Sequence, residues 1–392
     1  MSTRLDVDLL DPTLYQRDPH DVWSWMRAEE PVYRDDRNEV WGVTRHADLI
    51  AVERDDATFS SRGMYRWVPS PDEETMISHD NPQHLAQRRL VQGRFTPRAV
   101  GDREPEIRSL VSELVDAFAD DGEVEVISAL AGQLPARFTC RLLGVPEDRW
   151  AELQTWSERQ MRLDTRRDDP QVWHDFYASG EEMFRTVAEL FPARVGCPMD
   201  DLLSVWANAE IGGAPLSRET AMHEFGLFVS GGAETTRTTI AHGLRAFCDH
   251  PDQWELLARE PERIPDAVEE VIRWVTPLNQ MFRVATVDTE LRGVPIAAGD
   301  RLALLYPSAN RDEDVFDEPF RFDVARSPNP HVAFGNGTHF CLGAFVARQT
   351  LRSMFEELTE RLTDLRVVTE PDVEPNVFAR AVRTFRMGFR RR

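Results

Sequence analysis

Phe334-Gly335-Asn336-Gly337-Thr338-His339-Phe340-Cys341-Leu342-Gly343 is the stretch from which the rest of this chain can be read. Two glycines ahead of a cysteine let the backbone turn tightly and approach something large. The residues that come next, Leu342-Gly343-Ala344-Phe345-Val346-Ala347-Arg348, read as the start of a helix. The positive end of a helix dipole favours a thiolate. An isolated cysteine is ordinarily a small buried hydrophobe, and this one is set differently, behind a glycine loop. Taken alone, the loop also admits a structural turn or a nucleophile loop.

A second motif, Gly231-Gly232-Ala233-Glu234-Thr235-Thr236, falls in a segment from about 222 to 249. Its apolar stripe of Phe225, Phe228, Val229, Ile240, Leu244 and Phe247 predicts a helix. Two glycines cost roughly 1 kcal/mol each against alanine inside a helix, so something must offset them. Small residues open a groove on a helix face, and a threonine hydroxyl beside an acid can pass protons into it. Two shorter helices joined by a Gly-Gly linker form the other reading. Downstream, Ala267, Val268, Val271, Ile272 and Val275 predict a helix over 265–275 that carries Glu270 and Arg273 on one face. Upstream, Asp80 is the expected N-cap of a helix with Pro82 in its first turn, and His84 and Arg88 share a face at i and i+4.

In this order and spacing the motifs resemble those of the haem-thiolate monooxygenases, the cytochrome P450 family, over nearly the whole chain from about Pro19. The cysteine loop is similar to the family's aromatic-Gly-x-Gly-x-His/Arg-x-Cys-x-Gly. The resemblance implies haem b (iron protoporphyrin IX) held by Cys341 as axial iron ligand, with Phe334 and Gly335 in the loop beside it. Thiolate ligation favours O–O cleavage. It implies Glu234 and Thr235 as the acid–alcohol pair that delivers protons to dioxygen. It implies His84, Arg88, Arg283 and His339 as cations for two haem propionates. Glu270 and Arg273 become a buried structural network completed by an arginine of the segment before the cysteine loop, Arg321 or Arg326, between which the sequence does not choose. A substrate pocket would be lined by the loop 62–77 and by Leu227, Ser230, Gly231, Leu278, Met281 and Phe378. These apolar and flexible side chains suit a lipophilic ligand. The helix after the cysteine departs from the family at Phe345-Val346 and Gln349-Thr350, which bears on partner choice.

The fold implied is mainly α with a small β-rich lobe (α+β), one domain over 1–392, with haem between the central helix and the cysteine-loop helix. Strands are expected at 31–33 and 40–43. Further strands of the same lobe are expected around 291–296 and 303–306, and a last hairpin over 377–389. A formal charge of −22 argues against non-specific nucleic-acid binding. All the basic charge is arginine, since the chain has no lysine, which suggests a high-GC genome. Cys140, Cys197, Cys248 and Cys341 show neither disulfide nor zinc spacing. No signal peptide or membrane span is apparent, so a cytoplasmic protein of bacterial type is expected. The function expected is an oxidoreductase, a monooxygenase that uses O2 and two external electrons to hydroxylate a lipophilic molecule such as a steroid or branched lipid. A ferredoxin with an NAD(P)H-dependent ferredoxin reductase would supply the electrons, docking on a face made basic by Arg89, Arg94 and Arg98. The alternatives are a tailoring oxidase for polyketides, terpenoids or peptides, a non-turnover haem-binding recruitment module, and a haem enzyme that rearranges substrates without inserting oxygen.

Overall fold

Helix Arg218–Asp249 runs through the middle of the computed structural model, which describes residues 4–165 and 169–392. Ser217 caps it by accepting the Thr220 N–H at 2.9 Å. The helix continues unbroken through Gly231-Gly232, so the linker reading does not hold. Close approach offsets the helix propensity that glycine forfeits. A Cβ on Gly232 would lie 2.9 Å from Oγ1 of Thr139, on the neighbouring helix Gln133–Leu143. The two halves of the central helix serve different cores. Ile240, Leu244 and Phe247 pack with Val271, Phe355 and Leu358, whereas Phe225, Val229 and Ala233 pack with Cys140, Trp156 and Trp206.

The β-rich lobe is a five-stranded sheet in the order Val32–Asp35, Val40–Val43, Arg301–Leu305, Gln280–Ala285, Phe59–Ser60. Arg301–Leu305 runs parallel to Val40–Val43 and antiparallel to Gln280–Ala285, in a register that sets Arg283 opposite Leu302. Two expectations need correction. The segment around 291–296 is not part of this sheet. It forms its own hairpin, Thr289–Leu291 with Val294–Ile296, closed through Arg292 and Gly293 in left-handed backbone conformations. The expected hairpin over 377–389 contributes only Arg386–Arg391, paired with Leu362–Thr369 and Glu123–Glu125. Its loose alternation marks burial of Val377, Phe378, Val382 and Phe385 in an irregular segment that makes, among the described residues, only single antiparallel bridges, Ala379 with Leu278 and Val382 with Val373. No helix among the described residues is long and apolar enough to cross a membrane.

Candidate functional site

The cysteine loop folds around its own backbone. Gly335 (φ 69°) and Gly337 (φ 65°) take the left-handed conformation, and a Cβ on Gly337 would collide with the carbonyl oxygen of Glu53. The Cys341 N–H donates to the Phe334 carbonyl at 2.8 Å, closing the loop. The helix after it begins at Ala344, later than the sequence suggested, because Leu342 and Gly343 form a turn first. Cys341 is half-buried. Burial pushes its thiol above the usual range, against the Gly343 N–H, Arg88 and Arg348. A free thiolate is therefore disfavoured here, whereas a cation bound to sulfur would deprotonate it outright. Arg348 stacks over the Phe334 ring at 4.6 Å and grips Glu269 with two hydrogen bonds of 2.6 and 2.7 Å. Glu269 also accepts from His331 at 3.1 Å. These partners outweigh burial and hold the Glu269 carboxyl at about 2.

The same helix, Ile264–Val275, carries Glu270 and Arg273, both with fully buried side chains. Arg273 donates twice to Glu270, at 2.7 and 2.8 Å, and to the carbonyls of Asn310 and Pro319, each at 2.9 Å. Of the two arginines considered, Arg326 reaches Glu270, at 3.2 Å. Arg321 turns outward to Glu318 and offers only its carbonyl to Arg273. The Asp323 N–H and the Asn329 amide fill the remaining positions on Glu270. The Glu270 carboxylate and the backbone carbonyls around it thus satisfy the two guanidinium groups away from water, the condition under which a buried ion pair is tolerable.

Four cationic candidates gather near the cysteine loop. His84 and His339 lie with ring centroids 4.3 Å apart. His84 Nδ1 bonds the Met76 carbonyl and His339 Nε2 bonds Ser61, while His84 Nε2 and His339 Nδ1 are buried with no partner. Burial lowers both imidazoles, His339 to about 2. Arg88 donates to the Phe340 carbonyl at 2.8 Å and is lowered by burial. Arg283 is buried, and its nearest acid, Glu53, is 3.7 Å away. Asp80 does not cap the His84 helix with its side chain. Its carboxylate takes the Ser61 N–H and the Ser60 hydroxyl, and helix Gln83–Val91 starts without a side-chain cap.

Across the gap, Thr235 donates to the Gly231 carbonyl at 2.9 Å. Nothing would meet a side chain built on Gly231. Glu234 is buried, 3.3 Å from Arg237, and receives Thr238 at 3.4 Å. Burial raises its carboxyl above the usual range despite Arg237. Of the expected pocket residues, Leu278, Met281 and Phe378 meet in one cluster with Met161 and Ala379. Leu227 packs elsewhere, with the front half of the central helix, beside Ser230 and Gly231 in sequence. Sequence reasoning missed Arg66, whose guanidinium lies 4.6 Å over Phe378 and binds the buried Asp164. It also missed Glu53 and Arg237, acid and base in helices where charge is unremarkable until the partner is known.

The Cytochrome P450 family profile matches residues 172–377. A steroid C26-monooxygenase of Mycobacterium tuberculosis is 40% identical, covering 96% of this chain and 94% of its own length. The chain is a cytochrome P450. Another curated relative, a linalool 8-monooxygenase of Pseudomonas putida, is 36% identical over 91% of this chain and 92% of its own. Among solved structures, a Mycobacterium marinum cytochrome P450 in complex with pseudoionone aligns with a TM-score of 0.91 and 34% identity, covering 99% of this chain and 100% of that one. This P450 is accordingly a monooxygenase whose cofactor is haem b with a thiolate-bound iron. The residues present fit that group. A half-buried thiol lacks the cation that would ionise it, and the two orphaned imidazole nitrogens and the under-used Arg283 lack an anion.

Proposed function

We propose that this P450 hydroxylates a steroid or a methyl-branched lipid, with electrons from a ferredoxin and its NAD(P)H-dependent reductase. The observation that carries this reading is the near full-length 40% identity to a protein named steroid C26-monooxygenase. Cys341 would hold the haem iron, and His84, Arg88, Arg283 and His339 would take its propionates. When bound, the haem supplies a thiolate-ligated iron at which dioxygen is reductively cleaved.

The protein's own contributions come from its side chains. Glu270, Arg273 and Arg326 hold the meander before the cysteine loop, so that Cys341 is presented at a fixed height. Burial pushes the Glu234 carboxyl up against the pull of Arg237, and Thr235 stands on the adjoining helix position, its hydroxyl bonded to the Gly231 carbonyl. Glu234 is thus the acid of the pair, steadied by Arg237, which lies 3.3 Å from it and donates to Glu158 at 2.5 Å, while Thr235 carries the hydroxyl one position along the helix. Leu278, Met281, Phe378 and Met161 exclude water from the substrate's apolar body. The relative named linalool 8-monooxygenase and the neighbour bound to pseudoionone favour a terpenoid as the second reading.

The test is spectroscopic. The reduced protein with carbon monoxide is expected to show the long-wavelength Soret band of thiolate-ligated haem. Steroids should then shift the ferric spin state at lower concentration than linear terpenoids. A band at the imidazole-haem position would overturn the Cys341 assignment, and tighter terpenoid binding would overturn the substrate class.

A further inference from the structure

Glu53, the penultimate residue of helix His46–Arg54, is an acid with a side chain 1% exposed. The Tyr306 hydroxyl donates to its Oε1 at 2.6 Å, and the Asn336 N–H of the cysteine loop also bonds its carboxyl. Its Oε2 is buried with no partner. Gly335 presses against it, since a Cβ there would lie 3.1 Å from Oε1. Among the described residues the one cation facing it, Arg283, is 3.7 Å away and spends Nη1 on the Phe282 carbonyl at 2.8 Å. Arg283 is also the guanidinium assigned to a haem propionate, and the role of Glu53 rests on that assignment. Two carboxylates sharing one guanidinium away from water cannot both ionise cheaply.

We propose that Glu53 is a positioning residue for the cofactor, standing as a neutral acid behind Arg283 so that the guanidinium serves the propionate, and tying that edge to the cysteine loop through Tyr306 and Asn336. Burial pushes the Glu53 carboxyl up to about 7, against Arg283 and Tyr306. A propionate arriving at Arg283 withdraws part of that cation and pushes Glu53 further up. Below the raised value Glu53 is neutral and Arg283 is free for the cofactor. Above it, Glu53 ionises, competes for Arg283 and repels the propionate, so haem is held less tightly as pH rises. Neighbouring groups do not produce this trend. Tyr306 is raised well above its ordinary range, His84 is lowered, and His339 is held at about 2. Arg54, the next residue of the helix, turns its guanidinium to the Asn336 side chain at 2.9 Å.

The experiment is the rate of haem transfer from the loaded, full-length protein to excess apomyoglobin between pH 6 and 9. The wild-type rate is expected to rise about tenfold, the change that one unit of coupling between two ionisations produces. Glu53→Gln keeps the shape without the ionisation and should transfer haem slowly at every pH, while Glu53→Asp should keep the pH dependence. A flat wild-type rate, or a Glu53→Gln rate that climbs as the wild type does, overturns the proposal. The wild-type profile decides alone if the variants fail to fold. Wild-type protein that carries no haem would refute the assignment of Arg283 itself.

Discussion

Glu234 and Thr235 are adjacent in sequence and diverge in space. Thr235 spends its hydroxyl hydrogen on Gly231, one turn back, while Glu234 points into protein toward Arg237 and Glu158. A carboxyl pushed up by burial is a better proton donor at neutral pH than an ordinary glutamate, which would already be ionised. Glu234→Gln keeps the volume and removes the exchangeable acid. Product formation is expected to fall by about 10²-fold, the scale of one lost general acid. Hydrogen peroxide released per NAD(P)H consumed should rise, and haem content should stay at the wild-type level. Thr235→Ala should show the same redistribution, read from product and peroxide in one assay. Product and peroxide yields unchanged in both variants would remove the pair from proton delivery. For single residues the sequence was informative where a motif names them. It was silent on Glu53 and Arg237, because a glutamate or arginine in a helix carries no local mark of the partner that buries it.

Helix Ile264–Val275 binds two regions at once. Glu269 holds the helix after the cysteine through Arg348, and Glu270 with Arg273 holds the meander through Arg326 and the carbonyls of Asn310 and Pro319. Glu270→Ala would leave the fully buried Arg273 without its counter-charge. Breaking one side of such a pair costs about 3–5 kcal/mol. Denaturant unfolding should register that loss. The carbon monoxide difference band should weaken at its long-wavelength position as the loop around Cys341 loosens. Arg321→Ala, with an exposed guanidinium bound to Glu318, should change neither. The helix itself was legible from its apolar spacing, and so was the continuity of the stripe along Arg218–Asp249. Which arginine completes the network was not, because Arg321 and Arg326 differ only in which way the turn directs them. The 377–385 segment misled for a related reason. Alternation reports burial, and here burial is accompanied by isolated bridges at Ala379 and Val382 and not by a continuous ladder.

A chain of net charge −22 repels an acidic electron carrier at long range, so docking needs cations gathered on one face. Helix Gln83–Val91 and the short helix Pro97–Gly101 lie beside the cysteine loop and its helix, with Arg88 bonded to the Phe340 carbonyl. Of the three arginines expected there, Arg94 is committed to Asp200, which Arg103 also binds, and contributes little field. Arg89 and Arg98 are exposed and make no ion pair among the described residues. Leu85, Phe340 and Phe345 are exposed on the same elements and offer apolar contact once charge has brought the partner close. These two contributions separate by ionic strength. Arg89→Glu with Arg98→Glu should slow electron transfer from an acidic ferredoxin about tenfold at low salt, as rim charges act mainly on association. The difference should shrink as the Debye length falls below the spacing of the charges. A wild-type rate indifferent to salt, and unchanged in the double variant, would assign docking to the apolar side chains, and Phe345→Ser should then slow the transfer where the charge reversals did not.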